Sequence, residues 1–269
     1  MNKLQNGEYF GNHNQELRFN DIIITDTEYT HEKVDWHYHE NPYFTYLLQG
    51  KLFEASKKKS DYLTSGSLLF HNWQDAHYNI KPLEYTRGFH IELNAEWFKR
   101  NDIHSINFEG STNIKNPQIK TLLNKIFLET KINDEQSQIS IELLILEIFN
   151  KIEYKKNQFT KQPKWVNTLK ELITDEPNKN FSLTNLSKEL NIHSVHLSRD
   201  FSTYFGTTLG QYIRLQKVNK AILLITKNEF TLTDICYQCG FYDQSHFISN
   251  FKRIYKTTPS VFFKEISKR

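Results

Sequence analysis

Two stretches near the C-terminus are imperfect copies of one unit, and no other feature restricts the fold as tightly. One runs from Phe181 to Ile213 and the other from Thr231 to Lys264. Each carries a short amphipathic helix, a tight turn and a second helix. Leu183, Leu186 and Leu190 of the first copy recur as Leu232, Ile235 and Cys239, an inward face at i, i+3, i+7 spacing. The turn is Asn191-Ile192 in one and Gly240-Phe241 in the other, where glycine supplies the freedom a sharp corner needs. The second helix opens near His193-Ser194 and near Asp243, both reasonable N-caps, and buries Leu197, Phe201 and Phe205 or Phe247, Phe251 and Tyr255. The pattern predicts helix-turn-helix units at about 182–205 and 231–255. Such units present their second helix to the DNA major groove.

The outward positions of the second helices support that use. Ser194, His196, Ser198 and Arg199 match Gln244, Ser245, His246, Ser249, Asn250 and Lys252. A solvated helix face more often carries Glu-Lys pairs at i, i+4. Short donors and acceptors with arginine are instead the types that hydrogen-bond base edges and phosphates.

The motifs Phe205-Gly206 with Gln211-Tyr212-Ile213, Ala221 with Leu224, Gly240-Phe241 with Asp243, Ser245, Phe247, Phe251 and Lys252, and Thr258-Pro259 fall in one register. Over about 163–267 this resembles the DNA-binding domain of AraC/XylS-type transcription regulators, in which seven helices carry two helix-turn-helix units joined by a long central helix. Leu209 stands where that family usually has proline, Lys217 and Phe263 where it has arginine, and Lys256 where it has glycine. These departures bear on local packing and leave the base-reading face untouched. The resemblance assigns base contacts to Ser194, Val195, Ser198 and Arg199, and to Gln244, Ser245, His246 and Ser249. Arg199 to guanine and Gln244 to adenine are the geometrically natural pairs. Asn250 belongs to the same polar face, and Lys252 and Arg253 are expected on phosphate.

Charge agrees. From residue 163 onward there are 15 basic and 9 acidic side chains, against 19 and 22 before it. The positive half is the one that should meet phosphate, with salt-dependent affinity. No apolar run approaches the roughly 18 residues of a membrane span, and the first residues carry no hydrophobic signal core, so a cytoplasmic protein with no membrane partner is expected. Cys236 and Cys239 form a CxxC, but both fall inside a predicted helix, with Cys239 on its inward stripe and no second pair nearby. Packing is the reading there, and neither metal nor cofactor is expected.

The N-terminal half alternates in short β-type runs, at 21–25, 43–49, 51–56, 67–70 and 85–93, with turns at Gly50, Gly66 and Lys57-Lys58-Lys59. Dense aromatics (Trp36, Tyr38, Tyr43, Phe44, Tyr46, Phe53, Phe70, Trp73 and Tyr78) suffice to fill a small barrel or to line a pocket in it. His37-x-His39 puts two imidazoles on one strand face. Together with Tyr43, Gly50, Gly66 and His77 the spacing resembles the two motifs of cupins. Tyr43 stands at the usual glutamate, and Asn72 and Gln74 at the usual proline and glycine. AraC-type regulators commonly carry such a sensor barrel, which assigns His37, His39, Tyr43 and His77 to a small-molecule effector pocket. Loss of the carboxylate argues against a three-histidine metal centre, which would lack an anionic ligand.

Helices are expected at 95–102, 117–131 and 134–154, the last apolar around most of its circumference and so suited to a second subunit. A polar stretch from Lys155 to about Pro163 reads as the interdomain linker. The expectation is a multidomain α+β protein: a cupin-like effector-sensing β-barrel at 1–95, a helical linker and dimerisation segment at 96–154, and an all-α DNA-binding domain at 163–267. Its implied partners are double-stranded operator DNA, a small-molecule effector, a second copy of the chain and, for the activator that the family suggests, RNA polymerase. The enzymatic alternative is a metal-dependent cupin oxygenase fused to a DNA-binding module. A third is an architectural DNA-binding protein with a vestigial barrel.

Overall fold

The computed structural model describes residues 2–103, 110–158, 162–175 and 181–266, with side chains described throughout these ranges except at 153–158, 174 and 175. The chain divides into two compact units, Met1–Asn116 with Asn133–Gln138, and Pro117–Ile132 with Ile139–Arg269.

In the first unit the strands are β1 (Asn2–Leu4), β2 (Gly11–Phe19), β3 (Ile22–Tyr29), β4 (Lys33–His39), β5 (Tyr43–Gln49), β6 (Lys51–Ser56), β7 (Ser60–Thr64), β8 (Leu68–His71), β9 (His77–Ile80), β10 (Arg87–Leu93) and β11 (Ser111–Asn113). They form a five-stranded sheet, β1-β4-β9-β6-β7, and a six-stranded sheet, β11-β8-β5-β10-β3-β2. All seven residues of β5 are buried, as its unbroken apolar and aromatic run requires of a strand hydrogen-bonded on both sides. Phe44, Tyr46, Phe70 and Phe89 fill the core beside it. Trp36 and Trp73 do not join them: both are exposed. Gly50 turns the chain between β5 and β6 at φ +81, and a Cβ there would lie 2.5 Å from the Tyr85 carbonyl oxygen, so conformation and space both call for glycine.

The barrel does not stop at residue 95. Helix α1 (Ala95–Arg100), capped by Asn94 accepting from Trp97 N at 3.0 Å, stays with it, and β11 pairs with β8.

The second unit comprises α2 (Pro117–Ile132), α3 (Ser137–Gln158, from Ile139), α4 (Lys164–Asp175), α5 (Leu183–Glu189), α6 (Ser194–Phe205), α7 (Leu209–Lys227), α8 (Leu232–Gln238), α9 (Gln244–Tyr255) and α10 (Pro259–Ile266). Residues 96–154 are therefore not one separate segment. Helix α2 packs along α7 and α10 because Ile119, Leu122, Leu123, Ile126 and Phe127 give it a continuous apolar side, all buried. The expected linker is shorter than drawn, since α3 continues to Gln158; residues 159–161 lie outside the described residues.

Two aromatic cores hold the helix-turn-helix units. Val166, Leu169 and Ile173 of α4 pack on Leu186, Leu197, Phe201, Phe205 and Tyr212. Val218, Ile222 and Ile225 of α7 pack on Ile235, Phe241, Phe247, Phe251, Tyr255 and Phe262. Cys236 and Cys239 are fully buried in that second core, and burial pushes the Cys239 thiol up to about 12. No described helix is long and apolar enough to cross a membrane.

Candidate nucleic-acid interface and effector site

Local chemistry builds both recognition helices. In the first unit Ser182 caps α5 by accepting from Asn185 N at 3.1 Å, Asn191 takes the left-handed turn conformation at φ 52, and His193 caps α6. Gly206 ends α6 at φ 67. In the second, Thr231 and Asp234 form a capping box at the start of α8 and Gly240 turns at φ 70. Asp243 caps α9 by accepting from His246 N at 2.7 Å. Lys256 closes α9 at φ 59, the conformation that Gly206 adopts in the first copy.

Phase then decides what each helix offers. Val195, Ser198 and Arg199 on α6 are exposed and Ser194 is half-buried. On α9, Gln244, Ser245, His246, Ser249, Lys252 and Arg253 are exposed. Arg199 is held by Asp200 at 3.0 Å and lies 3.1 Å from His196 Nδ1, and the Gln244 amide donates to Thr233 at 2.6 Å. Asn250 is a correction. It is buried, donates to the His246 carbonyl at 2.7 Å and accepts from Arg253 at 2.8 Å, so its amide is engaged within the helix and does not reach a base. Arg253 lines a cavity of about 300 Å³ with Lys125, Lys151 and Arg214. Burial and the Arg253 charge lower the Arg214 pKa there. Tyr242, in the turn just before α9, is 87% exposed.

The barrel brings its four sequence-derived residues together. Strand register sets His37 on β4 opposite His77 on β9, their ring centres 4.3 Å apart, and His39 lies 4.3 Å from Tyr43 of β5. The Tyr43 hydroxyl stands 3.2 Å from His77 Nε2. Three residues absent from the motif reading complete the interior: His71 opposite Tyr43 across β5 and β8, Glu54 from β6, and His90 from β10. Only the pairing of distant strands collects them.

Water exclusion dominates the electrostatics. Burial holds His39 and His71 well below the ordinary imidazole range and takes His77 to about 3, with the neighbouring histidines adding repulsion. His90 is likewise held at about 3 by burial, and burial raises Glu54 to about 8. The rings are neutral at pH 7. His37, His39, His77, His90 and Glu54 line a cavity of about 30 Å³.

Residues 186–265 match the helix-turn-helix domain model. An uncharacterized HTH-type transcriptional regulator, SACOL0084, of Staphylococcus aureus (strain COL) is 24% identical over 228 residues, which span 81% of this chain and only 30% of that protein. The C-terminal domain of the two-component response regulator yesN from Fusobacterium nucleatum is 33% identical over 36% of this chain and 98% of that domain, with a TM-score of 0.33. ToxT from Vibrio cholerae is 15% identical over 93% of this chain and 100% of its own, with a TM-score of 0.39. With both helix-turn-helix units in place, residues 186–265 belong to the AraC-type family of helix-turn-helix domains found in transcription regulators.

Proposed function

We propose that the chain binds specific operator DNA through α6 and α9 and that a small effector in the barrel controls this binding. The observation that carries the reading is the pair of capped recognition helices with exposed Ser198, Arg199, Gln244, Ser245 and Ser249. Two such helices suit two successive major-groove segments about one helical turn apart. The barrel assignment is supported by buried polar groups converging on a cavity, the usual makeup of a ligand site. Dimerisation through α3 is supported by Ile139 and Leu143, exposed and four residues apart on one helical face. The activator sense, with RNA polymerase as partner, rests on the family resemblance alone. Control requires the effector to favour one arrangement of the protein over another.

Selection from randomised duplex DNA tests the reading, followed by titration of the enriched sequence at two salt concentrations. Enrichment of a site spanning about two helical turns is expected. Uniform recovery of all sequences would leave only salt-dependent, architectural binding. The oxygenase alternative requires stoichiometric metal, which elemental analysis of the full-length protein measures.

A further inference from the structure

The interior of the barrel carries a second cluster that the cupin motifs do not describe. Among the described residues, two buried groups bring ligand atoms within 4.8 Å of one another: His37, His39 and His77, and Glu54, His71 and His77. The first is the position that the motif spacing marks. It has three neutral imidazoles and, at the place of the usual carboxylate, the buried phenol of Tyr43. A divalent ion there would keep its full charge in a medium that solvates charge poorly.

The second group differs in the one respect that matters. Glu54 enters from β6 and, on releasing its proton to solvent as the ion binds, provides the anionic ligand that Tyr43 does not. Its Oε1 lies 3.7 Å from His71 Nε2, too long for a hydrogen bond. Ligands about 2.0–2.2 Å from a tetrahedral zinc-like ion stand roughly 3.3–3.6 Å apart, close to that spacing. Neither ring nitrogen of His71 has a hydrogen-bond partner, although the residue is 1% exposed. Buried polar atoms are seldom left so. The third ligand is already oriented. His77 Nδ1 sits 2.8 Å from the Asp75 carbonyl, which can only accept, so Nδ1 carries the proton and Nε2 turns its lone pair inward.

We propose that the barrel binds a divalent transition-metal ion between Glu54, His71 and His77, displaced from the His37–His39 position, and that this ion is the effector. The imidazole and carboxylate donors suit zinc, iron, manganese or cobalt, and Glu54 and His77 both line the barrel cavity. The proposal rests on the sensor reading given above and names its ligand class.

Cobalt(II) is the probe, added to full-length protein stripped with chelator, with metal per chain measured by elemental analysis and coordination by visible absorption. One ion per chain is expected, weakened at least 100-fold by Glu54→Gln and by His71→Asn. A larger loss in His37→Gln than in those two variants would overturn the assignment, as would an absence of stoichiometric metal. If a variant fails to fold, histidine side-chain nitrogen NMR of the unmodified protein on adding zinc decides instead. Shifts at His71 and His77 support the site, and shifts confined to His37 and His39 overturn it. Operator titration with and without metal separates the two levels. Metal held at Glu54 without any change in DNA affinity would sink the sensor role and keep the site. An organic compound that alters DNA affinity while no metal binds would do the reverse.

Discussion

The Tyr255 hydroxyl at the end of α9 donates to the Asn219 side-chain oxygen of α7 at 3.2 Å, inside the second unit. The same oxygen accepts from Thr121 at 3.0 Å and from the Asn124 amide at 3.1 Å, while the Asn219 amide donates to the Pro117 carbonyl at 2.9 Å. One buried side chain thus ties α2 to the central helix and to the last turn of a recognition helix.

Asn219→Leu fills the same space and removes every one of these partners. Buried groups left without partners cost about 1–3 kcal/mol each, and neighbours share the loss, so a destabilisation of about 2–4 kcal/mol is expected. Urea unfolding measures it. A loss below about 1 kcal/mol would mean that the partners find other bonds.

Arg199→Ala should cost about 1–3 kcal/mol at one base pair and relax specificity there. Titration against single-base variants of the operator separates this from a phosphate role, for which affinity would fall equally on all sequences. Asn250→Ala is the contrasting case. With its amide bonded to His246 and Arg253, it should lower stability by about 1 kcal/mol and leave base preference unchanged.

Lys256 carries a conformational cost at φ 59 that Gly206 avoids in the equivalent cap. Lys256→Gly should stabilise the domain by about 0.5–1 kcal/mol, since a left-handed residue with a Cβ is strained while glycine loses more entropy on folding. Gly206→Ala should destabilise by a similar amount, because its added Cβ meets nothing closer than Gln118 at 3.7 Å and only the backbone term remains. Thermal or urea midpoints check both signs.

His90 is buried between Thr25 at 3.0 Å and the Tyr29 hydroxyl at 2.6 Å, and burial holds it at about 3. Between about 3 and the ordinary value of 6.5 the unfolded chain takes a proton that the folded chain refuses. Stability of the metal-free protein should therefore fall as pH drops below 6.5, by about 1.4 kcal/mol per pH unit for each such group once fully in that window. His90→Gln should show a shallower fall between pH 6.5 and 5 than the unmodified chain. Equal slopes would mean that His90 titrates normally.

Leucine spacing, cap residues and the aromatic stripes determined both helix-turn-helix units by themselves, because a helix and its turn are set by neighbours a few residues away. The same locality made the faces of α6 and α9 legible, with one failure at Asn250. There the outward phase was overridden by hydrogen bonds to His246 and Arg253 and by packing. His37 and His39 were visible as a strand pair for the same reason. Glu54, His71 and His90 were not, since they come from three further strands and meet only when two sheets face each other. Nor could the chain announce that α2 belongs with α7, a choice made by the buried fit of its apolar side and by Asn219. Local periodicity is written in the sequence. Which distant groups share one dry interior is decided by strand register and packing, and in this protein that decision places the only buried carboxylate within ligand distance of His71 and His77 among the described residues.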